Sequence, residues 1–211
     1  MAKPWDKESG RSQTVRRLQR HLIVCEDKKS AADYLRGFKV PEDFAEVVIE
    51  GGAGNTASVV EKGLKLREQA VKHHAPYAAV WCVFDRDSFP AKNFNRAFDL
   101  ARGDDTHNVH IIWSNECFEL WYLLHFEFVV AGLGRTELYA KLSESTRLGK
   151  KYDKTDETVH ELLKDKLPTA MKFARKLLAD YGSALNPERD NPSTNVHELI
   201  SVLQKLGQLG G

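Results

Sequence analysis

Cysteine is scarce: there are three in 211 residues, Cys25, Cys82 and Cys117, and no two stand in a CxxC spacing. An odd count at such wide spacing argues against a disulfide framework and suits a reducing compartment. Long apolar runs are missing as well. None approaches the roughly 18 residues that cross a bilayer, and the opening Met1-Ala2-Lys3-Pro4-Trp5-Asp6 has no apolar signal-peptide core. These absences lead us to expect a cytoplasmic protein with no membrane partner. Excess charge of one sign is also absent: 31 Lys and Arg stand against 30 Asp and Glu, a formal net charge of +1. A protein-wide basic field for nucleic acid is therefore excluded, and any such surface has to be local. The candidate is the N-terminal stretch with Arg11, Arg16, Arg17 and Arg20, which reads either as a nucleic-acid-binding arm or as a solvated face.

What is present is the composition of a globular domain, 42% hydrophobic and 29% charged, with enough chain for one good core and a small appendage. Four short apolar runs read as strands: His21 to Cys25, Ala45 to Ile49, Ala78 to Phe84 and Val109 to Trp113. Between them lie helical stretches, about Ser30 to Phe38 with Ser30 as N-cap, Ala57 to His74 and Asn93 to Arg102. Strand and helix in alternation predict a mainly parallel central sheet of about four strands flanked by helices. Ser114-Asn115 are suitable caps for a buried helix over Glu116 to Phe126. No strand is expected from Arg135 onward. Thr136 to Ser143, Glu157 to Lys166, Thr169 to Tyr181 and Asn195 to Leu206 read as helices, with Pro168 breaking or kinking its own. The expected organisation is a basic arm over 1–19, an α/β core over 20–130 and a helical C-terminal extension over 131–211 packed on that core.

The chemistry concentrates where strands end. The run to Phe84 closes on Asp85-Arg86-Asp87. Residues two apart on a strand point the same way, so Asp85 and Asp87 project together at the carboxyl edge of the sheet, where open α/β folds place ligands. Adjacent carboxylates repel unless a proton or cation lies between them, and Mg²⁺ suits a site of few carboxylates plus phosphate oxygens. The first strand ends in Glu26-Asp27-Lys28-Lys29-Ser30. If it is a parallel neighbour of the Asp85 strand, Glu26 and Lys29 join the aspartates. A lone DxD also reads as a polar strand end. Arg86, between the aspartates, should face the other way and balance charge. Gly51-Gly52-Ala53-Gly54-Asn55-Thr56 matches neither a Walker motif nor GxGxxG; it reads as a turn with an N-cap, or as a support for phosphate at a helix start.

Four elements in order resemble those of the RloB-like proteins, a bacterial group with a Toprim-like core. They are Leu22 through Ser30, Val80 through Asp87, Ser114-Asn115 with Cys117-Phe118-Glu119-Leu120-Trp121 and Leu123-Leu124-His125-Phe126, and Asn191-Pro192-Ser193-Thr194-Asn195-Val196. The resemblance implies a Toprim-like core over 20–130 and Mg²⁺-dependent phosphodiester chemistry, with Mn²⁺ as an alternative, centred on Glu26, Asp85 and Asp87. It also implies a setting in anti-phage defence, with nucleic acid as substrate and an ATPase as partner. Asp27 stands where the family usually has Gly, and either adds a ligand or weakens the site. Glu116 stands where Pro is common, and Ala31 where Glu is frequent.

Glu119 sits in a very apolar stretch and needs a partner or a function. It reaches the metal site, holds Lys29 or Arg86, or clamps a core arginine. His125, Trp113, Trp121 and Tyr122 read as core. Two function classes stand: a metal-dependent nuclease in which Lys29 neutralises phosphate charge, with Ser30, Asp27, Arg86 and Glu119 in support, or a non-catalytic nucleic-acid-binding or regulatory module working with an ATPase.

Overall fold

The computed structural model describes residues 18–209 apart from 44, 88, 89 and 107. Arg11, Arg16 and Arg17, and with them the proposed basic arm, lie outside the described residues. A five-stranded sheet organises the chain, in the order β2-β1-β3-β4-β5. β1 (Gln19–Cys25) pairs in parallel with β2 (Ala45–Glu50) on one side and β3 (Ala79–Asp85) on the other, and β4 (Val109–Asn115) continues in parallel beyond β3. The chain therefore winds outward from β1 to β2 and then crosses back over it to β3. That makes the gap beyond the ends of β1 and β3 the switch point of the sheet, the place where such folds bind ligands.

β3 is apolar along nearly its whole length, and β1 from Leu22 to Cys25, because both are interior strands covered on two faces. Leu22, Val24, Val80, Cys82 and Phe84 pack with Val59 and Val60 of α2 (Thr56–Lys72) and Phe94 of α3 (Ala91–Arg102). On the opposite face Ile23, Cys25, Trp81, Val83 and Ile112 meet α1 (Ser30–Arg36), α4 (Glu119–Leu123), α7 (Leu167–Tyr181) and α8 (Val196–Gly207). α5 (Arg135–Leu142) and α6 (Val159–Leu163) close the rest of that layer. All three cysteines are free and buried. No helix among the described residues is long and apolar enough to cross a membrane.

The structure departs from expectation in three places. A fifth strand, β5 (Ser193–Thr194), pairs antiparallel with β4; two residues are too short to show the alternation by which a strand is read. Ser114 and Asn115 are consequently strand residues rather than helix caps: the Ser114 hydroxyl meets that of Thr194 at 2.9 Å, and the Asn115 amide donates to the Pro187 carbonyl at 3.2 Å. The buried helix starts only at Glu119 and runs five residues. Pro168 neither breaks nor kinks a helix; it lies in the first turn of α7, where its missing N–H has no partner to lose.

The glycine-rich loop before α2 is a turn with an N-cap, Asn55 accepting from the Ser58 amide at 3.2 Å. It also buttresses the end of β1. The Ala53 and Gly54 amides donate to the Cys25 and Glu26 carbonyls, both at 3.2 Å. A Cβ on Gly51 would lie 2.7 Å from the Asp27 carbonyl oxygen, so only glycine lets the two backbones meet.

Candidate functional site

Pairing of β1 with β3 is in register to Cys25 opposite Val83, and it continues as the Glu26 amide donates to the Val83 carbonyl at 3.0 Å. Glu26 therefore arrives beside Asp85, and its Oε2 accepts the Asp85 backbone N–H at 3.1 Å. Asp87 reaches the site by another route than strand alternation. β3 ends at Asp85, and Asp87 has φ of 44°, in the left-handed region that aspartate tolerates better than most residues. Its amide is held by the Glu116 carbonyl at 3.0 Å. A cavity of about 150 Å³ opens here, lined by Glu26, Asp27, Asp85, Asp87, Arg135 and Lys154.

Burial and mutual repulsion dominate the electrostatics. Desolvation, with Glu119, Asp87 and Glu26 nearby, drives the Asp85 carboxyl well above the ordinary aspartate range. Desolvation likewise pushes Glu26 up to about 7, despite its bond from the Asp85 amide, and Asp87 and Asp27 add to the rise. The balancing cations were not foreseen. Arg135, the first residue of α5, donates to Asp87 Oδ1, and its Nη2 lies 3.7 Å from Asp85 Oδ2. Lys154 Nζ lies 2.5 Å from Asp27 Oδ2. Arg135 opens a helix after Gly132-Leu133-Gly134, and Lys154 sits in a polar loop; no spacing ties either to the acids.

Lys29 corrects the expectation. It does not line the cavity: it is paired with Asp33 at 3.8 Å and Glu157 at 3.7 Å, because the N–H of its own backbone is turned in to cap Asp27 Oδ1 at 2.9 Å. Lys154 lines the cavity where Lys29 was expected. Arg20 is likewise not a free basic residue. It is part of β1, bound to Glu46 Oε2 at 2.6 Å and lying over the Tyr77 ring at 4.6 Å. The Arg86 guanidinium turns from the aspartate carboxylates as expected, donating to the Glu188 carbonyl and carboxylate, both at 2.7 Å, and to the Asp87 backbone carbonyl at 2.8 Å. Ser30 begins α1 and donates its hydroxyl to Glu119 Oε1 at 3.0 Å, and the Tyr152 hydroxyl donates to the same oxygen at 2.6 Å. Glu119 is 2% exposed and lies beneath the cavity rather than on its wall. His125 is a core residue, with Nδ1 at 3.0 Å from the Trp121 carbonyl and burial pushing it down to about 4.

The donor set suits a hard divalent cation: carboxylate oxygens at the ends of two neighbouring strands, and a partly buried Asp87 already drawing a guanidinium as stand-in. As the side chains stand, no group of three or more His, Cys, Asp or Glu among the described residues is gathered tightly enough to hold a metal. Arg135 sits against both Asp85 and Asp87, and Glu26 is turned to the Asp85 amide. Cation binding would have to displace Arg135 and draw Glu26 across from that amide.

The raised Glu26 gives a test. A carboxyl whose folded value lies above its unfolded one favours the fold fully below the unfolded value, here near 4.5, and that advantage is lost as pH rises through about 7. In the absence of metal, stability should therefore fall between about pH 4.5 and 7, by at most about 1.4 kcal/mol per pH unit for one proton. The fall should be visibly shallower in Glu26→Gln when urea midpoints are compared across that range. An equal slope in both proteins would show that Glu26 titrates normally.

Fold and site together define an α/β domain with an acidic cleft at the switch point of a mainly parallel sheet. The chain belongs to the RloB-like family, whose model matches residues 21–203, from β1 into α8. No curated protein and no solved structure matches it.

Proposed function

We propose that the protein is a divalent-cation-dependent nuclease that hydrolyses phosphodiester bonds of DNA or RNA at this cleft. The observation that carries the reading is the convergence of Glu26, Asp85 and Asp87 from two adjacent parallel strands onto one cavity. Glu26, Asp85 and Asp87 would hold Mg²⁺ or Mn²⁺, which when bound supplies an activated water and stabilises the leaving oxygen. Alternatively Glu26, where it does not hold the metal, serves as general acid or base, its carboxyl raised by burial and by its acidic neighbours. Lys154, beside Asp27, is placed to neutralise charge gathering on phosphate oxygens, the role first given to Lys29. Among the tyrosines near the site, the Tyr152 hydroxyl donates to Glu119 and the Tyr122 hydroxyl to the Ser30 carbonyl at 2.9 Å, and no sequence position marks a nucleophilic tyrosine. The family resemblance extends the proposal to a cytoplasmic effector in anti-phage defence working with an ATPase.

The second reading, a non-catalytic binding or regulatory module with a Toprim-like core, has one observation behind it: Arg135 already neutralises the aspartate pair. Two measurements separate them. Purified protein incubated with DNA, tRNA and mRNA in Mg²⁺ or Mn²⁺ should cleave at least one, and a chelator should stop it. Mg²⁺ should also raise the melting temperature reversibly. At a hundred times its dissociation constant it adds about 2.7 kcal/mol, or about 5–10 °C for a chain of this size. No shift and no cleavage would leave the binding module as the reading.

A further inference from the structure

We propose that Arg135 is an internal counter-ion that competes with the divalent cation for Asp85 and Asp87, and that once displaced it positions the substrate by gripping the phosphodiester. The inference rests on the metal reading above and adds a second role for the cleft. Among the described residues Arg135 donates a side-chain hydrogen bond to no acceptor but Asp87, with Asp85 as its second anionic neighbour at 3.7 Å. The oxygens it occupies are those a cation would need at about 2.0–2.1 Å. A guanidinium and a divalent ion on the same carboxylate repel each other, so each must weaken the other by the same factor. The competition has a structural outlet. The Arg135 side chain is 39% exposed and springs from the first residue of α5, at the mouth of the cavity. It can leave Asp87 by rotamer changes alone, without disturbing the helix behind it.

The chemistry of the displaced group names its next partner. A freed guanidinium presents a planar fork of donors that matches two non-bridging oxygens of one phosphate. Nucleic acid entering a metal-loaded cleft brings such oxygens to this point, where Lys154 also lines the cavity. The exchange of Asp87 for phosphate would make metal and nucleic acid bind cooperatively: each removes what obstructs the other. Burial disfavours the charge of Arg135, but Asp87 and Asp85 beside it keep the guanidinium protonated, so the competition is between two cations and not between a cation and a proton.

The test compares wild type with Arg135→Gln, which removes the charge, and Arg135→Lys, which keeps the charge without the fork. Titration calorimetry with MgCl₂ or MnCl₂ alone should show Arg135→Gln binding about tenfold more tightly than wild type, the middle of the usual range for coupled sites. Arg135→Lys should stay near wild type. Binding of a short oligonucleotide, read by fluorescence anisotropy with Ca²⁺ in place of Mg²⁺ to prevent turnover, should weaken about tenfold in Arg135→Gln and measurably in Arg135→Lys. Unchanged or weaker metal binding in a folded Arg135→Gln overturns the proposal, and if that variant does not fold, metal binding by Arg135→Lys tighter than wild type by tenfold does the same. The outcome is separable from that of the nuclease reading. A wild type that cuts no substrate while Arg135→Gln gains metal affinity sinks the nuclease and leaves the counter-ion. A wild type that cuts while metal affinity ignores Arg135 sinks the counter-ion alone.

Discussion

Asp85→Asn and Asp87→Asn should each lower metal-dependent cleavage by about a thousandfold or more while the chain stays folded. A cation that polarises a phosphoryl oxygen contributes several kcal/mol to the transition state, and each 1.4 kcal/mol is a factor of ten. Losing one of three proposed carboxylate ligands removes most of that. The fold should not suffer, and for Asp85 the sign can be worked out. Its carboxyl is raised by burial and by Glu119, Asp87 and Glu26. The protonated form is therefore the one the fold prefers, and stability is lost as pH rises through the folded value. Asparagine cannot ionise, so metal-free Asp85→Asn should melt at or above the wild-type temperature at pH 7 to 8. Asp87→Asn frees Arg135, but that side chain reaches solvent, where an unpaired guanidinium costs little. Thermal melts and a gel-based cleavage assay on the same preparations decide the matter. If either variant fails to fold, the aspartates are structural and the metal reading fails with them.

The part of this site that could be read from sequence is the part built by regular structure. β1 and β3 announce themselves as apolar runs because each is buried on both faces, but their adjacency is a premise that only the sheet order supplies. Register then places Glu26 beside Asp85 without further information. Asp87 was expected to join them by strand alternation, yet it does so from beyond the strand, through a left-handed backbone turn held by Glu116. The right neighbour was reached through an incomplete reason. Lys29 shows where local reasoning stops. One residue past a strand end, a side chain follows the loop's own hydrogen bonds, and here the Asp27 cap turns the ammonium outward to Glu157. Arg135 and Lys154 come from segments far along the chain whose approach to the cleft depends on packing of α4 against α5 and on Tyr152 being drawn down onto Glu119. Periodicity carries no trace of such contacts. β5 was missed for a related reason: its two residues are strand only because Ser114 and Asn115 are there to pair with them.

Glu119 allows the sharpest separation of support from catalysis. Expected partners were Lys29, Arg86 or a core arginine; instead Ser30 and Tyr152 donate their hydroxyls to a single oxygen, Oε1. Glu119→Ala leaves two buried donors without an acceptor, at about 1–3 kcal/mol each. We expect a loss of about 3 kcal/mol or more, a fall in melting temperature of about 6–12 °C. The segment bearing Tyr152 and Lys154 should loosen with it, since the Tyr152 bond anchors that segment over the cavity. Glu119→Gln should behave in the opposite way. Its amide carbonyl can accept both hydroxyls as Oε1 does, and the lost charge removes the largest repulsion acting on Asp85 after desolvation. Stability should hold or rise, and cleavage should stay within about tenfold of wild type, because a carboxylate beneath the cavity acts through hydrogen bonds that the amide preserves. Were Glu119 instead a metal ligand, Glu119→Gln would lose as much activity as Asp85→Asn while melting normally. The pair of variants, read by melting and by cleavage together, therefore assigns this buried acid to the floor of the site or to its chemistry.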